Sequence, residues 1–235
     1  MPDTRDSDSP HLLVIGECVA DIVRLPGAAD RVHPGGSPAN VAYGLARLGR
    51  STTLLTQLGP DANGRLIADR LTIAGVEVRT GSAPATPSAA VALDADGRAA
   101  YTFDITWTLD SAEPGPPPQH VHTGSIAAVM EPGATTVLGL VRSLRAGATV
   151  SYDPNVRPGL MGGHAHAVRR VEHCVALSDV VKASDEDLEW LYPGEPPGRV
   201  AERWLAAGPG LVLVTRGADG AFAVSSRARA RVDAL

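Results

Sequence analysis

The sequence predicts an α/β fold: a mainly parallel sheet sandwiched between two layers of helices, with a small β lid attached. Three observations lead there. Short apolar runs alternate with helix-length amphipathic segments, the mark of parallel strands joined by covering helices. A hairpin pattern then interrupts that alternation. The chain also has 235 residues, 44% apolar and 20% charged, enough to bury one sizeable core.

In chain order, 11–16 reads as a buried strand, and 25–36 as a turn-rich segment leading to a helix over 38–48. Pro38 and Gly49 suit the two ends of that helix. A strand over 52–58, a helix over 61–73 and a short strand over 76–80 continue the alternation. The segments 88–93 and 98–105, joined by a turn at 94–97, instead read as a β-hairpin. After a proline-rich connector at 113–118, alternation resumes. A strand at Val121 is followed by a helix over 133–146, a strand over 148–152, a helix over 163–177 and a strand at Val180. Two further helices, from Ser184 and to about Ala207, precede a strand over 211–215 and a last hairpin over 221–225 and 228–232. Residues 1–10 form a polar tail; 11–235 form the folded part, with lid segments near 19–34 and 76–105.

The formal charge of −5 is spread without blocks of one sign, which argues against a nucleic-acid or anionic-membrane partner and for a small molecule. Cys18 and Cys174 make no disulfide framework and read as buried thiols in a reducing cytoplasm. The polar start and the lack of a long apolar run predict an unexported, cytoplasmic protein. His120, His122, His164 and His166 lack a third ligand at convincing spacing and are assigned structural or surface roles.

Five short patterns carry candidate chemistry. Gly35-Gly36-Ser37-Pro38-Ala39-Asn40 places two glycines before a helix: either a tight turn, or a site where backbone N–H groups and the Asn40 amide meet hydroxyls. Asp21 follows the first strand and is either a turn cap or a hydroxyl acceptor. Asp153-Pro154-Asn155-Val156-Arg157 ends a strand, and its arginine can fork onto phosphate oxygens or lie on a loop surface. Lys182-Ala183-Ser184-Asp185-Glu186-Asp187 reads as an N-cap with acids at a helix start, or as carboxylates near a hydrated Mg²⁺. Thr215-Arg216-Gly217-Ala218-Asp219-Gly220 is a hairpin turn or a place where a nucleotide approaches the backbone.

Taken together, from about residue 12 to 232, these patterns resemble the PfkB (ribokinase-like) carbohydrate kinase family. Gly35 to Asn40 with Ala42, Ala46, Leu48 and Gly49 is similar to its first signature, and Gly59, Asp61 and Gly64 to its G-x-D-x-x-G turn. Tyr101-Thr102-Phe103, Gly124-Ser125-Ile126-Ala127 and Asp153 to Arg157 look most like the fructokinase branch. The resemblance implies a three-layer ribokinase-like sandwich and ATP-dependent phosphorylation of a sugar hydroxyl, with ATP and Mg²⁺ as cofactors. It implies sugar binding by Asp21, Gly35, Gly36 and Asn40, with Tyr101 and Phe103 in the lid. Arg157 would touch the transferring phosphate; Ser184, Thr215, Gly217 and Gly220 would flank ATP, and Asp187 the metal. A homodimer through the lid is an assembly it allows. The family's G-A-G-D segment, which supplies the catalytic base, does not occur in this sequence. The resemblance therefore places base and closing helices beyond Leu235 and implies an inactive chain; a non-catalytic sugar- or nucleotide-binding protein and a fragment without independent role are the alternatives.

Overall fold

The computed structural model describes residues 10–24, 29–93, 99–110 and 113–234. The chain divides into two compact units, Met1–Pro117 and Pro118–Leu235.

The first unit contains β1 (His11–Ile15), β2 (Val19–Arg24), β3 (Arg31–Gly35), α1 (Ser37–Arg47), β4 (Ser51–Leu58), α2 (Ala62–Ile73), β5 (Glu77–Ser82), β6 (Ser88–Leu93) and β7 (Ala99–Asp104). Strands β1, β4 and β5 are parallel, with β4 in the centre. Val14 and Leu54 on one face pack with Ala39 and Ala42 of α1 and Ile67 and Leu71 of α2. Leu13, Ile15 and Leu55 on the other face are also fully buried. Near-continuous apolar strands are what burial on both faces requires.

Gln57, 1% exposed, fixes the connector that follows β7. Its Oε1 accepts from the Thr108 and Leu109 backbone N–H groups and the Thr108 hydroxyl, while its Nε2 donates to the Thr106 carbonyl. These bonds accompany burial of Trp107 and Leu109.

A separate four-stranded sheet in the order β3-β2-β6-β7, with β2 and β6 parallel and both outer pairs antiparallel, holds most of the segments read as a lid, whereas 77–82 is β5 and pairs with β4 in the parallel sheet. The expected hairpin is β6–β7; its turn at 94–97 lies outside the described residues. The segment read as turns holds strand β3, and β2 precedes it, so Asp21 sits inside a strand and not beyond the end of β1. Ala20, Ile22 and Val32 pack with the core and Val19 is buried beside Ala20, too irregular an alternation to read over a few residues.

The second unit contains β8 (His120–Gly124), α3 (Gly133–Leu144), β9 (Thr149–Asp153), α4 (His164–Leu177), β10 (Val180–Ser184), α5 (Asp185–Leu191), α6 (Pro197–Ala207), β11 (Leu211–Thr215), β12 (Ala221–Ser225) and β13 (Arg229–Val232). Strands β8 to β11 are parallel neighbours, and the last two form an antiparallel hairpin beside β11. Tyr152, Val181, Val212 and Val214 pack with Leu138 of α3, Val171 of α4, Leu188 of α5 and Trp204 of α6. The opposite face shows His120, His122, Ser151, Lys182, Leu211, Leu213 and Thr215, all partly exposed. Cys18 and Cys174 are buried free thiols, and burial pushes each up to about 12.

Among the described residues, no helix is long and apolar enough to cross a membrane.

Candidate functional site

In the first unit the candidate residues converge at the start of α1. Gly36 is the helix N-cap with φ of +100°, a backbone that disfavours any side chain, and Pro38 follows in the first turn. Gly35 is buried, and a Cβ there would run into the Asp21 carboxylate. A glycine at 35 is thus what lets the acid of β2 lie beside the entry to α1. Asn40 is exposed on the first turn, its backbone N–H donating to the Gly36 carbonyl at 3.0 Å. Three of the four predicted sugar residues, Asp21, Gly35 and Gly36, are therefore in one neighbourhood, with Asn40 one turn along the helix.

The lid residues follow from strand register. Asp21 pairs with Ala89 of β6, and Ala89 with Phe103 of β7, so Asp21 and Phe103 share a row and a face of the sheet. Phe103 is 45% exposed. Tyr101 occupies the next row on that face, opposite Val91; its side chain lies outside the described residues.

The Gly59, Asp61 and Gly64 turn is structural. Asp61 caps α2 through the Gly64 N–H at 2.8 Å and also accepts from the Thr86 N–H at 2.7 Å and the Thr86 hydroxyl at 2.8 Å. This ties the chain entering β6 to the start of α2. Desolvation pushes the Asp61 carboxyl up, but these donors outweigh it and hold it below its ordinary value.

In the second unit the candidates sit at the carboxyl ends of parallel strands, where ligands of open α/β sheets bind. Three strand ends are laced together. The Asn155 side-chain amide donates to Ser125 Oγ at 3.3 Å, joining the ends of β9 and β8. Lys182 of β10 donates to Asp153 of β9 at 3.2 Å. Burial is the main reason the Asp153 carboxyl is raised; Lys182 opposes that and Asp187 adds to it. Arg157 is exposed and hydrogen-bonds the Val156 carbonyl at 2.9 Å. Ser184 and Thr215 are register neighbours at the ends of β10 and β11.

Asp187 sits in the helix cap that is one of the two readings of its sequence pattern. It is 6% exposed, and its two oxygens accept from the backbone N–H groups of Val156 at 2.7 Å and Ser184 at 2.8 Å. Its own N–H donates to Ser184 Oγ at 3.0 Å, closing a capping box. The carboxylate thus holds two backbone donors and fixes the Arg157 loop to the start of α5. No cluster of three or more His, Cys, Asp or Glu side chains suited to a metal occurs among the described residues.

The two nucleotide-site glycines also differ. A Cβ on Gly220 would collide with the Val232 carbonyl of β13, so this glycine serves the terminal hairpin. Gly217, with φ of +50°, faces open space that a side chain would fill, and a nucleotide can approach the backbone there. The Thr215 hydroxyl donates to the Ala183 carbonyl at 3.4 Å. Gln57 was not singled out by pattern, whereas Ser125 entered through the Gly124 to Ala127 resemblance and Lys182 as the cation at a strand end before the acidic helix start.

A parallel sheet with polar loops at its strand ends and a small lid sheet carrying an acid defines an α/β protein built around small-molecule ligands. The chain belongs to the pfkB family of carbohydrate kinases, whose profile matches residues 9–235. It is 30% identical over 197 residues to a fructokinase from Rhizobium leguminosarum bv. trifolii, covering 80% of this chain and 60% of that protein. A fructokinase of Xylella fastidiosa with bound ATP superposes with a TM-score of 0.85 at 26% identity, over 95% of this chain and 77% of that one. A double mutant of the Vibrio cholerae fructokinase with fructose, ADP and potassium ion bound gives 0.79 at 26% identity, over 97% and 77%.

Proposed function

We propose that this chain carries the sugar-binding and nucleotide-binding elements of an ATP-dependent carbohydrate kinase, with fructose the first substrate to test. The observation that carries the reading is the Asp21 carboxylate lying against Gly35 at the entry to α1. Such a carboxylate accepts from a sugar hydroxyl, while the first turn of α1 offers N–H groups that lack intrahelical partners. The neighbours support the choice of ligands, since relatives with fructose, ADP or ATP bound share this fold. ATP fits the open backbone at Gly217, with Arg157 and Lys182 as cations for its phosphates. Mg²⁺ would arrive with the nucleotide; Asp187, whose oxygens hold backbone donors, stays the acid proposed beside it.

No side chain described here is assigned as the base. Asp21 and Asp153 have positioning roles, and Asp187 is a cap. The reading is tested by titrating the chain calorimetrically with fructose, other common sugars and ATP. Fructose should bind, and Asp21→Ala should weaken it by about 1–3 kcal/mol. Tight ATP binding with no affinity for any sugar would sink the sugar-site half. Association through the lid, whose outer strands β3 and β7 have open edges, belongs to the same proposal and is read by sedimentation.

A further inference from the structure

The row of residues that runs through Asp21 continues on its other side. Asp21 of β2 faces His33 of β3 in the antiparallel register, so His33, Asp21, Ala89 and Phe103 form one line across all four strands of the lid. Cβ atoms of residues directly opposite in such a pair stand about 4.5–5.5 Å apart on the same face. That face is the one turned from the core of its unit, because the alternate residues Ala20, Ile22 and Val32 pack inward. His33 and Asp21 are both exposed, and Phe103 is 45% exposed.

We propose that His33 is a specificity-determining sugar contact, reading the hydroxyl adjacent to the one that Asp21 binds. The inference rests on the sugar-site reading of Asp21 and adds to it. The two side chains are chemically complementary for a vicinal diol. The carboxylate only accepts, whereas the imidazole ring nitrogens can donate as well as accept. One hydroxyl donating to Asp21 leaves its neighbour within reach of the ring of His33, and that neighbour can be served in either sense. Beyond Asp21 the row continues through the small Ala89 to the apolar ring of Phe103, which suits the C–H face of a sugar. A diol held between a carboxylate and an imidazole is rejected less by its shape than by loss of one hydroxyl, because a polar group left unpaired in a bound complex is penalised.

The test uses the whole chain, with fructose and a set of monodeoxy fructoses as probes, and compares wild type with His33→Ala, His33→Gln and Asp21→Ala by calorimetry. Wild type should lose roughly tenfold in affinity when the hydroxyl read by His33 is removed. His33→Ala should lose a similar factor for fructose but nothing further for that one deoxy sugar, and His33→Gln, which keeps a donor and an acceptor, should recover part of the loss. A uniform loss across every analogue, or none for fructose, would overturn the assignment. Retained affinity in His33→Ala beside a weakened Asp21→Ala removes His33 alone and leaves the sugar site standing. Failure of wild type to bind any of the probes removes both. Unchanged far-ultraviolet dichroism and melting temperature in the His33 variants exclude misfolding as the cause.

Discussion

The two units are built from the same alternation of strands and helices, yet their sheets end in different states. In the first, both faces of the parallel strands are buried: Val14 and Leu54 on one side and Leu13, Ile15 and Leu55 on the other are all fully inaccessible. In the second, Val181, Val212 and Val214 are buried under helices, whereas Lys182, Leu211 and Leu213 on the reverse remain partly open. The candidate sugar residues therefore rest on a closed scaffold, and the candidate phosphate and nucleotide residues on a half-covered one. Residues of one type at equivalent strand positions should then differ sharply in what they contribute.

The largest effect expected concerns turnover. Phosphoryl transfer depends on positioning and on stabilising charge in the transition state, and help from a base adds about 10²- to 10⁴-fold. Fusing a family-type segment containing G-A-G-D after Leu235 should raise ATP-dependent sugar phosphate formation by at least that factor, while fructose affinity changes little. Robust turnover by the unextended chain, abolished by Asp21→Ala, would show that a base exists among the residues present.

The next comparison is between Leu55 and Leu213. Truncating a fully buried leucine removes transfer energy and leaves a cavity, so Leu55→Ala should cost about 2–5 kcal/mol in urea unfolding. Leu213 has only part of its surface to lose, and Leu213→Ala should cost under about 1 kcal/mol. Equal costs would mean that the open face of the second unit is covered in solution, by self-association or otherwise, and repeating the measurement across protein concentrations separates these.

Within the second unit, Asp187 should matter more to local order than its surface neighbours. Asp187→Ala leaves the buried N–H groups of Val156 and Ser184 without their acceptor, a loss of about 1–3 kcal/mol. Amide exchange should speed up at Val156, with Leu55 in the other unit unchanged, and ATP affinity should fall as the Arg157 loop loosens. Unaltered protection at Val156 would disconnect the cap from that loop.

Element order and most boundaries could be read from periodicity, because strands such as β1 and β11 are short apolar runs and helices such as α1 end at a stop signal, Gly49. The lid was harder to read. Strand β2 pairs with β6, whose partner residues lie near position 90, and nothing local to Val19–Arg24 reports a partner so distant. Site residues showed the same division. Gly35 and Gly36 stood out as paired glycines before a helix, and the family resemblance grouped Asp21 with them, an acid that by itself also reads as a turn cap. His33 did not, since only the register of β3 against β2 places it opposite Asp21. Asp187 was only partly legible for a related reason: an acid three residues after a serine fits a capping box, which the structure shows, but nothing local announces the Val156 N–H that its other oxygen accepts at 2.7 Å.

The smallest effect expected is a pH dependence confined to the first unit. Asp61 holds the start of α2 and the Thr86 segment together as an ionised carboxylate, with its carboxyl held below the ordinary value by donors that outweigh desolvation. A group depressed in the folded state stabilises fully above its unfolded value, about 3.9 for aspartate, and that contribution disappears as pH falls through the lower folded value. Asp61→Asn keeps an oxygen for the Gly64 N–H but turns an amide donor toward the Thr86 N–H, so it lacks the charged form at every pH. The stability gap between wild type and Asp61→Asn should hold steady from neutral pH down to about 5 and narrow below about 4. A gap that widened on acidification would mean that protonated Asp61 is the form the fold prefers, contrary to its three hydrogen-bond donors.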